Sequence, residues 1–373
     1  MKKVLVLGGG MIGRAISLDL ANRHHVTVAD ISKNTLATIP SSGSIKTLLL
    51  DCKDGKAVKG SVDGFDLAIC AVPGFLGFKV LEMLIEAKID VVDISFSPEN
   101  TLDLDSLAVE NNVTAVVDMG VAPGLGNLIL GYHDASMEVN FFECLVGGLP
   151  TLRSFPFEYK APFSPVDVME IYLRPARLFE NGCVVTKPAL SDPEQVEFKE
   201  IGTLESFNTD GLRSLLFTMK HISNMREKTL RYPGHRDRIM SLLAAGFLSE
   251  KPLDINGSHI SPLEFTSKIL FDSWSLDPKE DEFTAMKITV KGETESHIWE
   301  LLDRTDHTTQ TSSMARTTGY TCCAVAELVL AKKWQRAGVS PGELVGRQEG
   351  VFDFVRHFLE ERKINLTHHT STA

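Results

Sequence analysis

The run VLVL at residues 4–7, followed by Gly8, Gly9 and Gly10, constrains this chain more than any other stretch. A short, unbroken apolar run fits a strand buried on both faces. After the glycines, Ile12, Ile16 and Leu20 recur at helical spacing, with Arg14, Ser17 and Asp19 elsewhere on the wheel. The pattern Gly8-x-Gly10-x-x-Gly13 therefore lies between a strand and a helix. Each glycine has its own job in such a turn: a tight bend, close approach to a pyrophosphate, and close packing of helix on strand. The helix N-terminus offers free N–H groups and the positive end of its dipole to phosphate oxygens. The segment HVTVAD, residues 25–30, supplies the next strand and ends in the acid that completes a dinucleotide-binding pattern, Asp30.

The alternation continues. Strands are expected at 45–50, 67–72, 91–94 and 113–117, with helical segments at 75–87 and 104–111. Repeated strand–helix–strand order predicts an α/β class: a doubly wound parallel sheet of the Rossmann type, here over residues 1–122. The breaker cluster GVAPGLGN, residues 120–127, ends that pattern and opens a new helix. Residues 123–312 read as an α+β domain, with strands at 138–150 and 282–293 and helices at 164–175, 209–222 and 235–248. A long helix at 315–334 falls in a third segment, 313–346, and residues 347–373 form an extension whose last residues, THHTSTA, read as disordered.

Charge and cysteine usage narrow the function class. The chain carries 38 Lys and Arg against 49 Asp and Glu, a net −11. That balance argues against nucleic acid as a partner, because phosphate binding needs an excess of basic groups on one face. None of the 6 cysteines forms a CxxC pair or a zinc-ligand spacing, so they read as thiols of a reducing cytoplasm and no metal is expected. The N-terminal MKK and apolar run resemble a leader, but the run stops at residue 7. No apolar stretch reaches the ~18 residues of a membrane span.

Within the crevice of the first domain, Gly8, Gly10, Met11, Ile12 and Gly13 are assigned to the pyrophosphate turn. Asp30 is assigned to the adenosine ribose, where a carboxylate repels a 2′-phosphate, so NAD is favoured over NADP. Ser32 and Lys33 follow and tolerate a phosphate. Asp51 closes the third strand, either as an adenine contact or as a solvated strand end. Ala71, Val72 and Pro73 close the fourth, near the nicotinamide end.

With those residues in place the chain resembles the saccharopine dehydrogenase-like family. The resemblance runs over residues 1–346 and rests on ordered blocks: VLVLGGGMIGRAI, VVDISFSPEN (91–100), VVDMGVAPGLGN (116–127), GGLP (147–150), FEYKAPFSPVDVMEIYLRPAR (157–177), ESFNTDGLRSL (205–215), KTLRYPGH (228–235) and MARTTGYTC (314–322). It implies a Rossmann domain with an inserted α+β substrate and dimerisation domain, a C-terminal helix returning to the first half, and a homodimer. The blocks at 157–177 and 228–235 look closest to the lysine 6-dehydrogenase branch. The implied reaction is NAD-dependent oxidative deamination of the ε-amino group of L-lysine to allysine, with NADH and ammonia as the other products. Saccharopine or a carboxyalkyl polyamine is the alternative amine, and an NAD(H)-binding regulator without turnover is the alternative of another class.

That chemistry needs a base for the ammonium, a clamp for the α-carboxylate and a partner for the α-ammonium. Asp93 and Ser95 follow the fifth strand at its carboxyl end, with Asp93 either partnering the ammonium or capping its loop. Asp118, at the next strand end, offers the same two readings. Lys160, beside Tyr159, serves as base if a bound dication lowers its pKa, or snorkels at the surface. Glu205, Asn208, Asp210 and Arg213 form a polar patch in which Asp210 either meets substrate or caps a helix. In KTLRYPGHRDRI, residues 228–239, Arg231 is assigned to the carboxylate and His235 to proton transfer. Lys228, Arg236 and Arg238 read as the wet edge of a turn.

Overall fold

The computed structural model describes residues 1–40, 42–277 and 279–372, with the side chains of Pro165 and Val166 left aside. Six strands come first: β1 (Lys3–Leu7), β2 (His25–Asp30), β3 (Ile45–Leu49), β4 (Leu67–Cys70), β5 (Val91–Asp93) and β6 (Thr114–Val117). Then follow β7 (Val139–Pro150), β8 (Ala176–Glu180), β9 (Cys183–Lys187), β10 (Glu194–Phe198), β11 (Gly202–Asn208) and β12 (Asn224–Arg231). The last are β13 (Leu253–Ile255), β14 (Ser258–Ile260), β15 (Glu282–Gly292), β16 (Glu295–Arg304), β17 (Gly338–Pro341) and β18 (Leu366–Thr372).

The first sheet has the order β17-β6-β5-β4-β1-β2-β3 and is parallel throughout. Strand order reverses between β1 and β4, which opens a crevice at their carboxyl ends. The strands read as unbroken apolar runs because both faces are covered. Val4 and Val6 pack into one core and Leu5 and Leu7 into another. Gly8 has φ +100°, and a Cβ there would sit 2.3 Å from the Ala71 carbonyl oxygen. A Cβ on Gly13 would sit 1.9 Å from the Gly8 carbonyl oxygen. The turn closes only with glycine at both places. β17 is the strand that periodicity does not announce: GVSP contains a proline, which is tolerated because β17 is an edge strand.

The second sheet runs β10-β11-β12-β7-β15-β16-β18, with β8 and β9 branching from β12. β7 and β12 are parallel; β15 runs antiparallel to β7. One face packs on helix Leu125–Asp134, which joins the first domain's core. The other buries Tyr159, Tyr172, Phe207, Trp274 and Phe283. Helix Ser313–Leu330 returns to the first domain, where Gly319 lies against Ala15 and Ile16.

Three expectations for this half are corrected. The segment 209–222 forms only the turn Leu215–Thr218, because Arg213 takes φ +45° and Asp210 is held by Arg177, which stops a helix before it can run. Lys228 is not a wet edge: it is 1% exposed on central strand β12, with Nζ 2.7 Å from the Asp192 carbonyl and 2.8 Å from Glu194. Arg236 and Arg238 are half-buried on the Leu190 carbonyl and Glu158. THHTSTA is strand β18 through Thr372, paired antiparallel to β16, while Ala373 lies outside the described residues. No helix among the described residues is long and apolar enough to cross a membrane.

Candidate functional site

A cleft of about 400 Å³ lies between the carboxyl edge of the first sheet and the face of the second. On one side Gly8, Gly10, Met11, Ile12, Gly13, Asp30, Ala71, Val72 and Pro73 line it together. Helix Met11–Leu20 begins at Gly10 with no side-chain cap and no acid in its first turn, so its leading N–H groups stay available to an anion. A Cβ on Gly10 would meet nothing within 4 Å, which leaves room beside those groups. The turn therefore fits a pyrophosphate. Asp30 stands at the crevice end with Oδ2 accepting the Gly9 N–H and Oδ1 accepting the Ser32 N–H, both at 2.8 Å. Those two bonds fix the carboxylate where a ribose hydroxyl would meet it. Asp51 does not join the group: it is exposed, outside the lining, and accepts the Lys53 N–H at 2.9 Å, closing its own loop.

On the other side Ser95, Asp118, Asp210 and Arg231 reach the cleft. Asp93 stands behind Ser95 and is 0% exposed. Its Oδ1 accepts the Ser95 hydroxyl at 2.6 Å, while Oδ2 has no hydrogen-bond partner among the described residues. Burial pushes its pKa up to about 6, with Asp118 adding to the rise. Asp118 is paired with Arg213 at 2.9 Å, and Arg213 also donates to the Ser97 carbonyl and lies over the Phe96 ring. Asp210 is gripped by Arg177 through Nε at 2.9 Å and Nη2 at 2.8 Å, so it is neither free nor a helix cap.

Lys160, His235, Tyr159 and Arg213 all lie outside the cleft lining. Lys160 donates to the Ser273 and Ser275 carbonyls at 3.0 and 3.2 Å and is not part of the lining. His235 is 0% exposed and also outside the lining. Its Nδ1 bonds the Phe157 carbonyl and its Nε2 the Tyr172 hydroxyl, both at 2.9 Å. A carbonyl only accepts, so Nδ1 carries the proton and Nε2 accepts from Tyr172. Burial first, then the charge of Arg231, lowers its pKa to about 3. It is a neutral ring fixed behind the cleft wall by two hydrogen bonds. The Tyr172 oxygen in turn accepts from Arg231 Nε at 3.1 Å. Arg231 lies over the Tyr159 ring at 4.4 Å and donates to the Leu230 carbonyl at 2.8 Å. Tyr159 is thus the floor under Arg231, itself outside the lining.

Several lining residues escape a reading by motif. Glu227, Thr229 and Arg231 alternate along β12, so all three share one face. Glu227 is buried, accepts the Thr209 hydroxyl at 2.6 Å, and has its pKa pushed up to about 7, chiefly by burial. Asp167, Glu170 and Arg174 line the cleft from helix Pro165–Leu173 and its cap, at the i, i+3, i+7 spacing of one helical face. Those two periodicities were the available signals.

Comparison with known proteins finds two family domains in succession along the chain. Residues 4–116 match the saccharopine dehydrogenase NADP binding domain, and residues 116–364 match the saccharopine dehydrogenase C-terminal domain. The chain is 28% identical over 287 residues to a saccharopine dehydrogenase (NADP(+), L-glutamate-forming) of Pyricularia oryzae, covering 72% of this chain and 63% of that one. It is 23% identical over 278 residues to the mitochondrial alpha-aminoadipic semialdehyde synthase of Rattus norvegicus, covering 70% of this chain. It spans only 30% of the length of the rat and mouse synthases. The apo saccharopine dehydrogenase (L-Glu forming) from Saccharomyces cerevisiae has the same fold, with a TM-score of 0.80 over 100% of both chains at 20% identity. The domain match names NADP, so it gives no support to the preference for NAD drawn from Asp30. The lysine 6-dehydrogenase branch likewise rests on residue blocks and not on these relatives. The two domain matches meet at residue 116 and run from residue 4 to residue 364, and the chain belongs to the saccharopine dehydrogenase family.

Proposed function

We propose that this chain is an NAD-dependent oxidoreductase that removes the terminal amine of L-lysine, giving allysine, ammonia and NADH. One observation carries the reading: Arg231 and Glu227 are opposite charges on one cleft wall, both buried, and among the described residues neither has an ion-pair partner. Lone buried charges are costly and call for counter-ions. A ligand with a carboxylate at one end and an ammonium at the other supplies both. They stand four positions apart on one strand face, about 13 Å along the backbone. The other guanidinium group in the lining, Arg174, is paired with Glu170, and the carboxylates Asp210 and Asp118 are already matched from behind by Arg177 and Arg213. A single unmatched guanidinium suits a substrate with one carboxylate.

A dinucleotide held by the Gly8–Gly13 turn and Asp30 would supply the hydride acceptor. The chain's residues prepare the amine. Three N–H groups of Arg231 are spent on Tyr172, Leu230 and Tyr159, which leaves two of its five for the carboxylate. Glu227 takes the ammonium proton, since an amine gives up hydride only once it is neutral. Ser95, oriented by Asp93, holds the water that hydrolyses the imine. The homodimer belongs to the same reading: Phe247, Phe265 and Ile269 leave more than half of their surface exposed on the second domain, and a second copy would cover them.

The names of the relatives favour a second reading, oxidation of saccharopine with NADP. Purified protein is given lysine or saccharopine with NAD⁺ or NADP⁺, and reduced cofactor, free ammonia and glutamate are measured. Ammonia and NADH from lysine support the proposal. Glutamate release from saccharopine alone replaces it, and absence of turnover on both leaves a binding protein.

A further inference from the structure

Three histidines meet at the β16–β18 edge of the second sheet, and none of them lines the cleft. His133 comes from the last turn of helix Leu125–Asp134, His297 from β16 and His368 from β18. Strand register explains the encounter. His297 pairs with Thr370 and Trp299 with His368, so the two histidines are diagonal neighbours on one sheet face. Their nitrogens, Nδ1 of His297 and Nε2 of His368, stand 3.0 Å apart. One nitrogen from each of the three rings falls within a span of 4.8 Å.

We propose that His133, His297 and His368 form a binding site for a divalent first-row transition-metal ion, Zn²⁺, Ni²⁺ or Cu²⁺, that fastens β18 to the sheet. Nitrogens bound at about 2.0–2.1 Å to one tetrahedral ion lie roughly 3.4 Å apart, so the His297–His368 pair is already near chelating distance. An all-imidazole set suits these ions, whereas Mg²⁺ and Ca²⁺ require oxygen. His297 packs on His133 at 4.1 Å between ring centres, so the rings must turn by some tens of degrees to aim at one ion. The partner they turn away from is Trp299, whose N–H bonds His133 Nε2 at 2.9 Å and whose ring lies 3.9 Å from His368. The site therefore carries its own optical reporter. β18 is exposed along nearly all its length and is held chiefly through its backbone, so a cross-link from His368 to His133 and His297 bears directly on whether it stays attached.

The test uses the full chain, stripped with chelator and titrated with zinc chloride, followed by calorimetry and Trp fluorescence. The expected result is saturable binding of one ion per chain with a change in emission. His297→Gln and His368→Gln should each weaken binding at least about tenfold. His369→Gln, on the opposite strand face, should leave it unchanged. Zinc should slow amide exchange at residues 366–372. Absence of saturable binding, or binding that survives His297→Gln with His368→Gln, overturns the site. Binding without slower exchange overturns the fastening role.

Discussion

Replacing Glu227 by Gln isolates the most informative charge in the cleft. Folding raises the pKa of this carboxyl from 4.5 to about 7. Between those values the native state binds more protons than the unfolded chain, so stability falls as pH rises through this window. The full cost of the buried carboxylate is present above pH 7. A rise of that size corresponds to about 3 kcal/mol, at roughly 1.4 kcal/mol per pH unit. Gln keeps the acceptor for the Thr209 hydroxyl and never ionises. Urea unfolding of wild type and Glu227→Gln should therefore give similar stabilities near pH 4.5 and a gap of about 3 kcal/mol in favour of the variant by pH 8. Glu282, pushed up to about 8, and Asp93, pushed up to about 6, titrate in both proteins and cancel in the difference. Activity should move the other way. On the proposed function, kcat/KM for lysine should rise with pH through about 7 in wild type as Glu227 ionises, and the variant should lose that limb while binding NAD⁺ normally. A stability gap that does not change with pH would refute the buried-carboxylate argument. An intact pH limb in the variant would refute Glu227 as the proton acceptor.

Further outcomes follow from the same geometry. Arg231→Met keeps the volume over Tyr159 but removes the cation, so KM for lysine should rise by one to two decades, the worth of a charged hydrogen bond of about 1.5–3 kcal/mol, while NAD⁺ affinity holds in a direct titration. Asp30→Ser removes the carboxylate opposite the ribose, and the ratio of NADP⁺ to NAD⁺ efficiency should rise by about a decade or more; an unchanged ratio dissociates Asp30 from cofactor choice. Phe265→Asp puts a charge on the exposed apolar surface of the second domain, and light scattering should find two chains per particle for wild type, as the proposed homodimer requires, and one for the variant.

What the sequence disclosed was local. Gly8, Gly13 and Asp30 are legible because a turn, a close approach and a strand end each restrict one residue to one type. The apolar runs of β1, β4 and β6 announce themselves because both faces are covered. Partnerships across the fold were hidden. Lys228 looks like surface until Asp192 and Glu194 of a distant hairpin supply its acceptors. His235 looks like a proton carrier until Phe157 and Tyr172 close over both nitrogens. The alternation of Glu227, Thr229 and Arg231 was present, but the basic neighbours and the Pro233-Gly234 corner made a buried strand resemble an exposed turn. His133, His297 and His368 share no spacing pattern at all; the pairing of β16 with β18 and the packing of helix Leu125–Asp134 on the sheet bring them together.

The place of β17 has a consequence for how the molecule is made. It lies beyond β6 at one end of the first sheet, yet it is contributed by residues 338–341, after the whole second domain. A nascent chain thus displays its glycine turn early but carries β6 with a bare hydrogen-bonding edge through the synthesis of more than two hundred further residues. A fragment cut at residue 122 inherits that edge permanently. The nucleotide-binding half is therefore not a module that can be lifted out at the first boundary: its last piece arrives late, and an isolated fragment should recruit other strands, its own copies included, in place of the one it lacks.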